Sequence, residues 1–354
     1  MAVTATTTAS AQAAPASGMV AAADRAVTFV VDHTATYGTL HIPAHHRGQR
    51  LAAALLLPGS GPTDRNGDQG TAFAPHTLAL IAGVLGDQGI MSLRFDKYFS
   101  GRTGAGAYAG DPGRIDLAAF IRQAEAAYHL LATQPDVNPR ALLIVGHSEG
   151  GLTEMLVDET VTPHPAGLAL LEPQDLRLLD LVRIQLDEQL DTAQAAGQIS
   201  PATAAENKSG ITRVIAEFRS RDPINTTGLL PSIAALFTKS LFSTANARYV
   251  RSDDAVYPPA VGSRLPRYTR VLVTCGTADT NVPCRTTLPL LLGLAHARTG
   301  GPGLRVLPGV DHLLHRAGTP TNTRTLAPAA VTALHAFTRP WTNHDLGNRS
   351  LPEP

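Results

Sequence analysis

The stretch Gly146-His147-Ser148-Glu149-Gly150 fits the pattern G-x-S-x-G. The apolar run "ALLIV" leads into it, and residues at helical spacing follow. In that setting the serine occupies a sharp strand-to-helix turn, and its hydroxyl projects above the C-terminal edge of a sheet. A serine hydroxyl alone is a weak nucleophile. It needs a histidine to take its proton and a carboxylate to hold that histidine and stabilise the imidazolium. In this architecture the partners follow in the order acid, then histidine.

The acid is expected just beyond a late strand. "RVLVTCGTADTNVP" places Asp279 in a polar turn four residues after Cys275. The other use of such an aspartate is to stabilise the turn or cap the next helix. The base is expected beyond the last strand, where "LRVLPGVDHLLHR" offers His312 and His315. His312 comes first after the turn and is the better placed to reach back. His315 reads as a histidine on a helix surface. Asp311 adjoins His312, and adjacent side chains point apart, so the acid role falls to Asp279. His147, inside the motif, is expected to point away from the serine. His41, His45 and His46 read as strand-end and loop residues.

Acyl transfer builds negative charge on a carbonyl oxygen. Preorganised N–H groups stabilise it, and losing one raises the barrier by roughly 3–4 kcal/mol. One donor is expected from Glu149, the residue after the serine, and the other from a loop after an early strand. "LLLPGSGPTDRNGD" supplies that loop, with Gly59 and Gly61 freeing the backbone around Ser60. The Ser60 N–H is therefore the second expected donor. Asp64 and Arg65 are expected to pair and fix the loop's shape, or else to be a solvated surface pair. The loop lacks G-x-x-x-x-G-K-[ST], and its glycines are not spaced as G-x-G-x-x-G, so it is no phosphate loop.

The elements that must carry these residues alternate. "VTFVVDH" and "YGTLHIP" read as a hairpin. "LAAALLL", "IMSLRFD", "ALLIVG" and "AGLALLEP" read as buried strands, separated by helices over "FAPHTLALIAGVLGDQG", "RIDLAAFIRQAEAAYHLLATQP" and "GLTEMLVDE". Such alternation points to a mostly parallel sheet covered by helices on both faces, with right-handed crossovers. After Pro173 the rhythm breaks into three helical stretches and a Pro-rich lead to Pro266. The strand–helix pattern then returns with "RVLVTCG", a helix over 286–297, "LRVLPG" and a last helix over 326–338.

Composition narrows the classes. Lys plus Arg equals Asp plus Glu at 29 each, which argues against a polyanionic partner such as nucleic acid. No apolar run reaches the ~20 residues that span a bilayer. No H-E-x-x-H or comparable cluster suggests a metal. Residues 1–26, rich in Ala, Thr and Ser, read as a disordered leader of the kind left when a secretion signal is removed. The two cysteines, Cys275 and Cys284, flank one loop; they either join as a disulfide or stay as two buried thiols.

Taken together these motifs resemble the α/β-hydrolase superfamily. The closer likeness is to bacterial esterases and serine aminopeptidase-like proteins whose oxyanion loop reads G-S-G-P-x-D-R-x-G. That loop stands here as "GSGPTDRNG", Gly59 to Gly67. The "RFDK" segment Arg94 to Lys97, the "GHSEGG" elbow, "GTADTNVP" from Gly276 to Pro283, and Asp311-His312 complete the set. The chain departs from many relatives in having Pro58 where they have histidine. The resemblance implies an eight-stranded sheet, a Ser148–Asp279–His312 triad and no cofactor. It implies a core of residues 27–173 and 267–343, a helical cap over 174–266 and a tail over 344–354.

The expected activity is hydrolysis of small to medium carboxylic esters through an acyl-enzyme. A peptidase using the same triad is the alternative. It would need an acid such as Glu149, Glu172, Asp253 or Asp254 to bind a substrate's amino terminus. A non-catalytic binding protein of this fold would have lost a triad member, and all three are in place. Dehalogenases and epoxide hydrolases of this fold place Asp where Ser148 stands. In the cap, Leu229, Leu230, Leu236, Phe237, Leu241 and Phe242 either line an acyl pocket or pack the cap together.

Overall fold

The computed structural model describes residues 18–342. Eight strands form one sheet: β1 Ala23–Val31, β2 Thr34–Ile42, β3 Leu51–Leu57, β4 Met91–Phe95, β5 Val137–His147, β6 Gly167–Leu171, β7 Arg270–Gly276 and β8 Gly300–Leu307. Their spatial order is β8-β7-β6-β5-β3-β4-β2-β1. The pairs β1–β2 and β2–β4 are antiparallel and the rest are parallel. The β1–β2 hairpin turns on Asp32 and His33, both at positive φ (47° and 59°), as a two-residue turn of this hand requires.

Sequence periodicity explains the layering. Every residue of β3 is buried. Leu51, Ala53, Leu55 and Leu57 face one layer, and Ala52, Ala54 and Leu56 face the other. In β5, Leu142 and Ile144 join the first layer while Ala141, Leu143 and Val145 join the second. This is the two-residue alternation of a strand with both faces covered. The first layer is closed by α2 (Leu117–Ala132), α3 (Glu149–Asp158), α8 (Pro258–Gly262) and α9 (Leu288–Ala297), through residues such as Tyr128, Met155, Val261 and Leu294. The second is closed by α1 (Thr77–Asp87) and α10 (Pro328–Thr338), through Ile81, Leu85, Leu334 and Phe337.

Between β6 and β7 the chain is helical: α4 Leu178–Ala195, α5 Pro201–Ser220, α6 Pro231–Ala235 continuing into a π-helical turn Leu236–Leu241, then α7 Ala247–Asp254 and α8. The Pro-rich lead to Pro266 thus holds two short helices. This segment has its own core of Leu179, Ile211, Val214, Phe218, Phe237 and Val250. Leu229, Leu230, Leu236, Leu241 and Phe242 pack against that core, and the Phe242 ring stacks on Phe218 at 3.7 Å. These apolar residues therefore hold the segment together.

Residues 19–26 do not fit the leader expected over 1–26. Residues Met19–Val20 pair with His45–His46, and β1 begins at Ala23. The remainder of that expectation, and the tail over 344–354, lie outside the described residues.

Candidate active site

Ser148 stands between the end of β5 and α3 with φ 56° and ψ −120°, a conformation a non-glycine residue adopts only when its surroundings enforce it. Its N–H donates to the Leu171 carbonyl at 2.9 Å, and its carbonyl accepts from Gly151 and Gln174 at 2.9 and 3.0 Å. The flanking glycines supply room for this bend. A Cβ on Gly146 would lie 2.2 Å from the Gly150 oxygen, and one on Gly150 would lie 2.3 Å from the Leu57 oxygen. The turn can pack against the end of β3 only without those side chains.

Ser148 Oγ lies 3.0 Å from His312 Nε2, and His312 Nδ1 lies 2.8 Å from Asp279 Oδ2. The three residues come from the ends of β5, β7 and β8, so the sheet's C-terminal edge gathers them. Asp279 sits in the turn after β7, where its Oδ1 accepts from the N–H groups of Asn281 and Val282 at 2.7 and 2.9 Å. That leaves Oδ2 for the histidine. Burial alone would raise the Asp279 carboxyl; hydrogen bonds from His312, Val282 and Asn281 outweigh it and hold the group below the usual carboxylate range. Asp311 bonds the backbone N–H groups of Leu313 and His315 at 3.0 and 2.9 Å, and so shapes the turn that presents His312.

Two histidines differ from expectation. His147 does not point away: its Nε2 lies 2.6 Å from the His312 carbonyl, and the two rings are 5.0 Å apart. The ring stands in the site and supports the backbone of the histidine facing Ser148. Burial pushes its pKa down to about 4, so it is neutral and donates to that carbonyl. His315 is fully buried rather than on a helix surface, and burial lowers its pKa too.

The glycine loop approaches closely. A Cβ on Gly59 would lie 3.1 Å from the Ser148 Cβ. Gly61 holds φ 85° and packs on Gln69. The Ser60 carbonyl accepts from Gln69 Nε2 at 2.8 Å. Asp64 and Arg65 do not pair with each other. Asp64 Oδ1 accepts from the N–H groups of Asn66 and Asp68 at 2.7 and 3.1 Å. Arg65 reaches Asp96, with Nε to Oδ1 at 2.8 Å and Nη2 to Oδ2 at 2.6 Å. The fork geometry of a guanidinium suits a buried carboxylate better than the neighbouring side chain does. The Glu149 N–H belongs to the first turn of α3, where N–H groups have no intrahelical acceptor.

A pocket of about 260 Å³ opens over Ser148, His147 and His312, with Ser60, Gln69, Phe73 and Leu78 among its walls. No residue of 174–266 is in its lining. Below the site lie buried acids. Glu172 accepts from the Gly276 N–H at 2.6 Å and the Thr274 hydroxyl at 3.2 Å, and burial raises its carboxyl to about 8. Asp175 accepts from the Thr286 hydroxyl at 2.8 Å, and burial raises it to about 7. Cys275 and Cys284 form a disulfide that brackets the turn bearing Asp279. Among the described residues, no cluster of His, Cys, Asp and Glu fits a metal ion, and no helix is long and apolar enough to cross a membrane.

The sheet order and the position of this site bear comparison with known structures. The esterase Est1E of Butyrivibrio proteoclasticus, solved with ferulic acid bound, superimposes with a TM-score of 0.53 at 14% identity, over 89% of this chain and 98% of that one. The chain has the α/β-hydrolase fold. The Pyrococcus furiosus esterase Pf2001 matches with a TM-score of 0.55 at 13% identity, over 90% of this chain and 91% of that one. A 2,6-dihydroxy-pseudo-oxynicotine hydrolase matches with a TM-score of 0.52 at 14% identity, over 93% of this chain and 70% of that one. No protein-family model and no curated protein matches the sequence. In this α/β-hydrolase fold, β1 to β8 follow one another in the order that delivers a turn after β5, one after β7 and one after β8 to the same edge.

Proposed function

We propose that the protein is a serine carboxylic-ester hydrolase. The observation that carries this reading is the hydrogen-bonded line from Ser148 Oγ through His312 to Asp279, at 3.0 and 2.8 Å, on a strained strand-to-helix turn. Ser148 Oγ attacks the ester carbonyl and passes its proton to His312 Nε2. Asp279 holds Nδ1–H and stabilises the imidazolium. The oxyanion rests on the N–H groups of Ser60 and Glu149. Collapse of the tetrahedral intermediate expels the alcohol, which takes the proton from His312. Water, deprotonated by His312, then hydrolyses the acyl-enzyme. Side chains and backbone N–H groups are all this chemistry draws on.

The pocket supports small to medium acyl groups, since about 260 Å³ falls just below the ~300–1,000 Å³ of most ligand sites. The esterases with this fold are in keeping with that choice. Residues 27–173 and 267–343 are the core in this reading, and 174–266 is a helical cap inserted into it. The disulfide suits an oxidising compartment and a secreted protein.

An aminopeptidase would leave a carboxylate free for the substrate's amine. Glu149 already meets Lys97, Asp254 meets Arg219, Asp253 meets Gln174, and Glu172 is held by Gly276. This favours esters over peptides. The test is turnover of p-nitrophenyl esters of rising chain length beside aminoacyl- and prolyl-nitroanilides, with Ser148→Ala as control. Activity on short esters that disappears in the variant is expected. Ester activity that survives in Ser148→Ala refutes the mechanism, and faster nitroanilide turnover replaces the esterase reading with the peptidase one.

A further inference from the structure

We propose that Lys97 is the positioning residue of the oxyanion hole, with its ammonium paired to Glu149, whose carboxylate is held in turn by Tyr249 of α7. The inference rests on the serine-hydrolase reading above. Lys97 is buried, which is costly for an ammonium unless each of its hydrogens is used. Its Nζ lies 3.0 Å from the Gly59 carbonyl oxygen, 3.1 Å from Glu149 Oε1 and 4.6 Å above the Phe120 ring.

The first contact decides the matter. The Gly59 carbonyl and the Ser60 N–H belong to one peptide unit, and in a trans peptide they point in opposite directions. The described chain has a single cis peptide bond, at Thr162–Pro163, so this unit is trans. With the carbonyl turned to Lys97, the Ser60 N–H is turned the other way. Among the described residues it donates to none, and Ser60 walls the pocket over Ser148. A cation on the carbonyl also polarises the peptide and strengthens its N–H as a donor.

The second contact places the other donor. Glu149 carries its candidate N–H on its backbone and the Lys97 contact on its side chain. One ammonium thus sets the spacing between the two N–H groups. The Glu149 carboxylate is closed from the far side by the Tyr249 hydroxyl, which donates to Oε2 and lies 3.3 Å from Asp253 Oδ2. The side chain of the residue after Ser148 therefore serves the frame of the hole and does not reach the substrate.

The deciding variant is Lys97→Met/Glu149→Gln, which removes both charges together and leaves neither unpaired in the interior. Its kcat on p-nitrophenyl butyrate is expected to fall about 100-fold, as when an oxyanion donor is lost. Inhibition by an alkyl trifluoromethyl ketone, whose adduct with serine carries an oxyanion, is expected to weaken by a similar factor. KM and inhibition by the unfluorinated ketone stay within about threefold, because ground-state binding does not use the hole. A kcat within about threefold of the wild type overturns the inference, and so does an equal loss in all four measurements. If the double variant does not fold, Tyr249→Phe decides. A several-fold loss of kcat at constant KM supports the role of Lys97, and unchanged kcat overturns it. A wild-type protein that neither reacts with a fluorophosphonate nor turns over esters refutes the serine-hydrolase reading and this inference with it. An active, labelled wild type beside an equally active variant refutes only the role of Lys97.

Discussion

Replacing Gly150 by alanine tests whether the glycines beside Ser148 are required for space. Gly150 lies in the first turn of α3, against the end of β3. The added Cβ would sit 2.3 Å from the Leu57 oxygen, 2.8 Å from the Leu57 carbonyl carbon and 3.0 Å from the Pro58 oxygen. All are backbone atoms, so no side-chain rotation relieves the overlap. An unforced carbon–oxygen approach is about 3.3 Å or longer, so strand and helix must part by about 1 Å. Leu57 and Pro58 run directly into Gly59 and Ser60, and the displacement passes to the glycine loop beside Ser148. A misplacement of about 1 Å costs on the order of 100-fold in rate. We expect kcat on p-nitrophenyl butyrate to fall about 100-fold, close to 2.7 kcal/mol of barrier, with KM little changed. Stability should fall by about 1–3 kcal/mol from overpacking. Gly83 is the matched control, since it is exposed on α1 and a Cβ there would meet nothing within 4 Å. Gly83→Ala should stabilise by about 1 kcal/mol and leave kcat alone. Steady-state kinetics and thermal melts of the two variants measure both effects. A Gly150→Ala enzyme with wild-type kcat and melting temperature would refute the steric reasoning.

Three more outcomes follow from contacts away from Ser148. Arg65→Met should destabilise by about 3–5 kcal/mol in urea unfolding, because it strands the buried Asp96 carboxylate; a loss under about 1 kcal/mol would mean that the backbone N–H groups of Arg65 and Arg102 suffice. Glu154 is fully buried in α3, and burial holds its pKa well above 4.5, so the folded state keeps a proton that the unfolded state releases. Its contribution is complete below pH 4.5 and fades as pH rises; Glu154→Gln should therefore raise the melting temperature at pH 8 and change it little at pH 4, and the opposite trend would contradict a neutral Glu154. Reducing the Cys275–Cys284 disulfide, or replacing both residues by alanine, should remove about 2–4 kcal/mol of stability and lower kcat through the Asp279 turn; unchanged kcat would show that the turn is held without the bridge.

What could be read from the sequence was local. The apolar runs of β3, β5 and β6 are long enough to name a buried strand, and the polar turns after β5, β7 and β8 each expose one reactive side chain. The helices α7 and α8 carried no such signal. α7 reads "ARYVRSDD", too polar to promise a helix, and it is docked from outside: Ser252 accepts the Leu117 N–H at 2.8 Å, and Asp254 the Leu179 N–H at 2.9 Å. Partners distant in sequence were equally hidden. Nothing near Arg65 distinguishes Asp64 from Asp96, yet only the latter lies where a guanidinium can reach it with two hydrogen bonds. His315 looked like a surface residue because its segment resembles a helix. The chain instead folds back there, with the Asp311 N–H on the His315 carbonyl and the Ala327 N–H on that of Leu314. Nothing local shows that His147 stays in the site, because what holds its ring there is the His312 carbonyl, 165 residues further along the chain.

The helical excursion leaves the sheet after β6 and returns at β7, and these two strands lie side by side, with Gly167 opposite Arg270. The strands are parallel, so it leaves at Leu171 and returns at Arg270 at the other end of the sheet, about 14 Å away: four residues of strand rise and one strand spacing, whatever lies between them. For a loop so anchored, doubling its length adds only about 0.6 kcal/mol of closure entropy. The excursion behaves like an interchangeable cartridge seated in a fixed socket. A cartridge of another length or helix number can be grafted at the same two strands without moving Glu172 or Asp279. A graft without a hydroxyl where Tyr249 stands would leave the Glu149 carboxylate with one contact fewer.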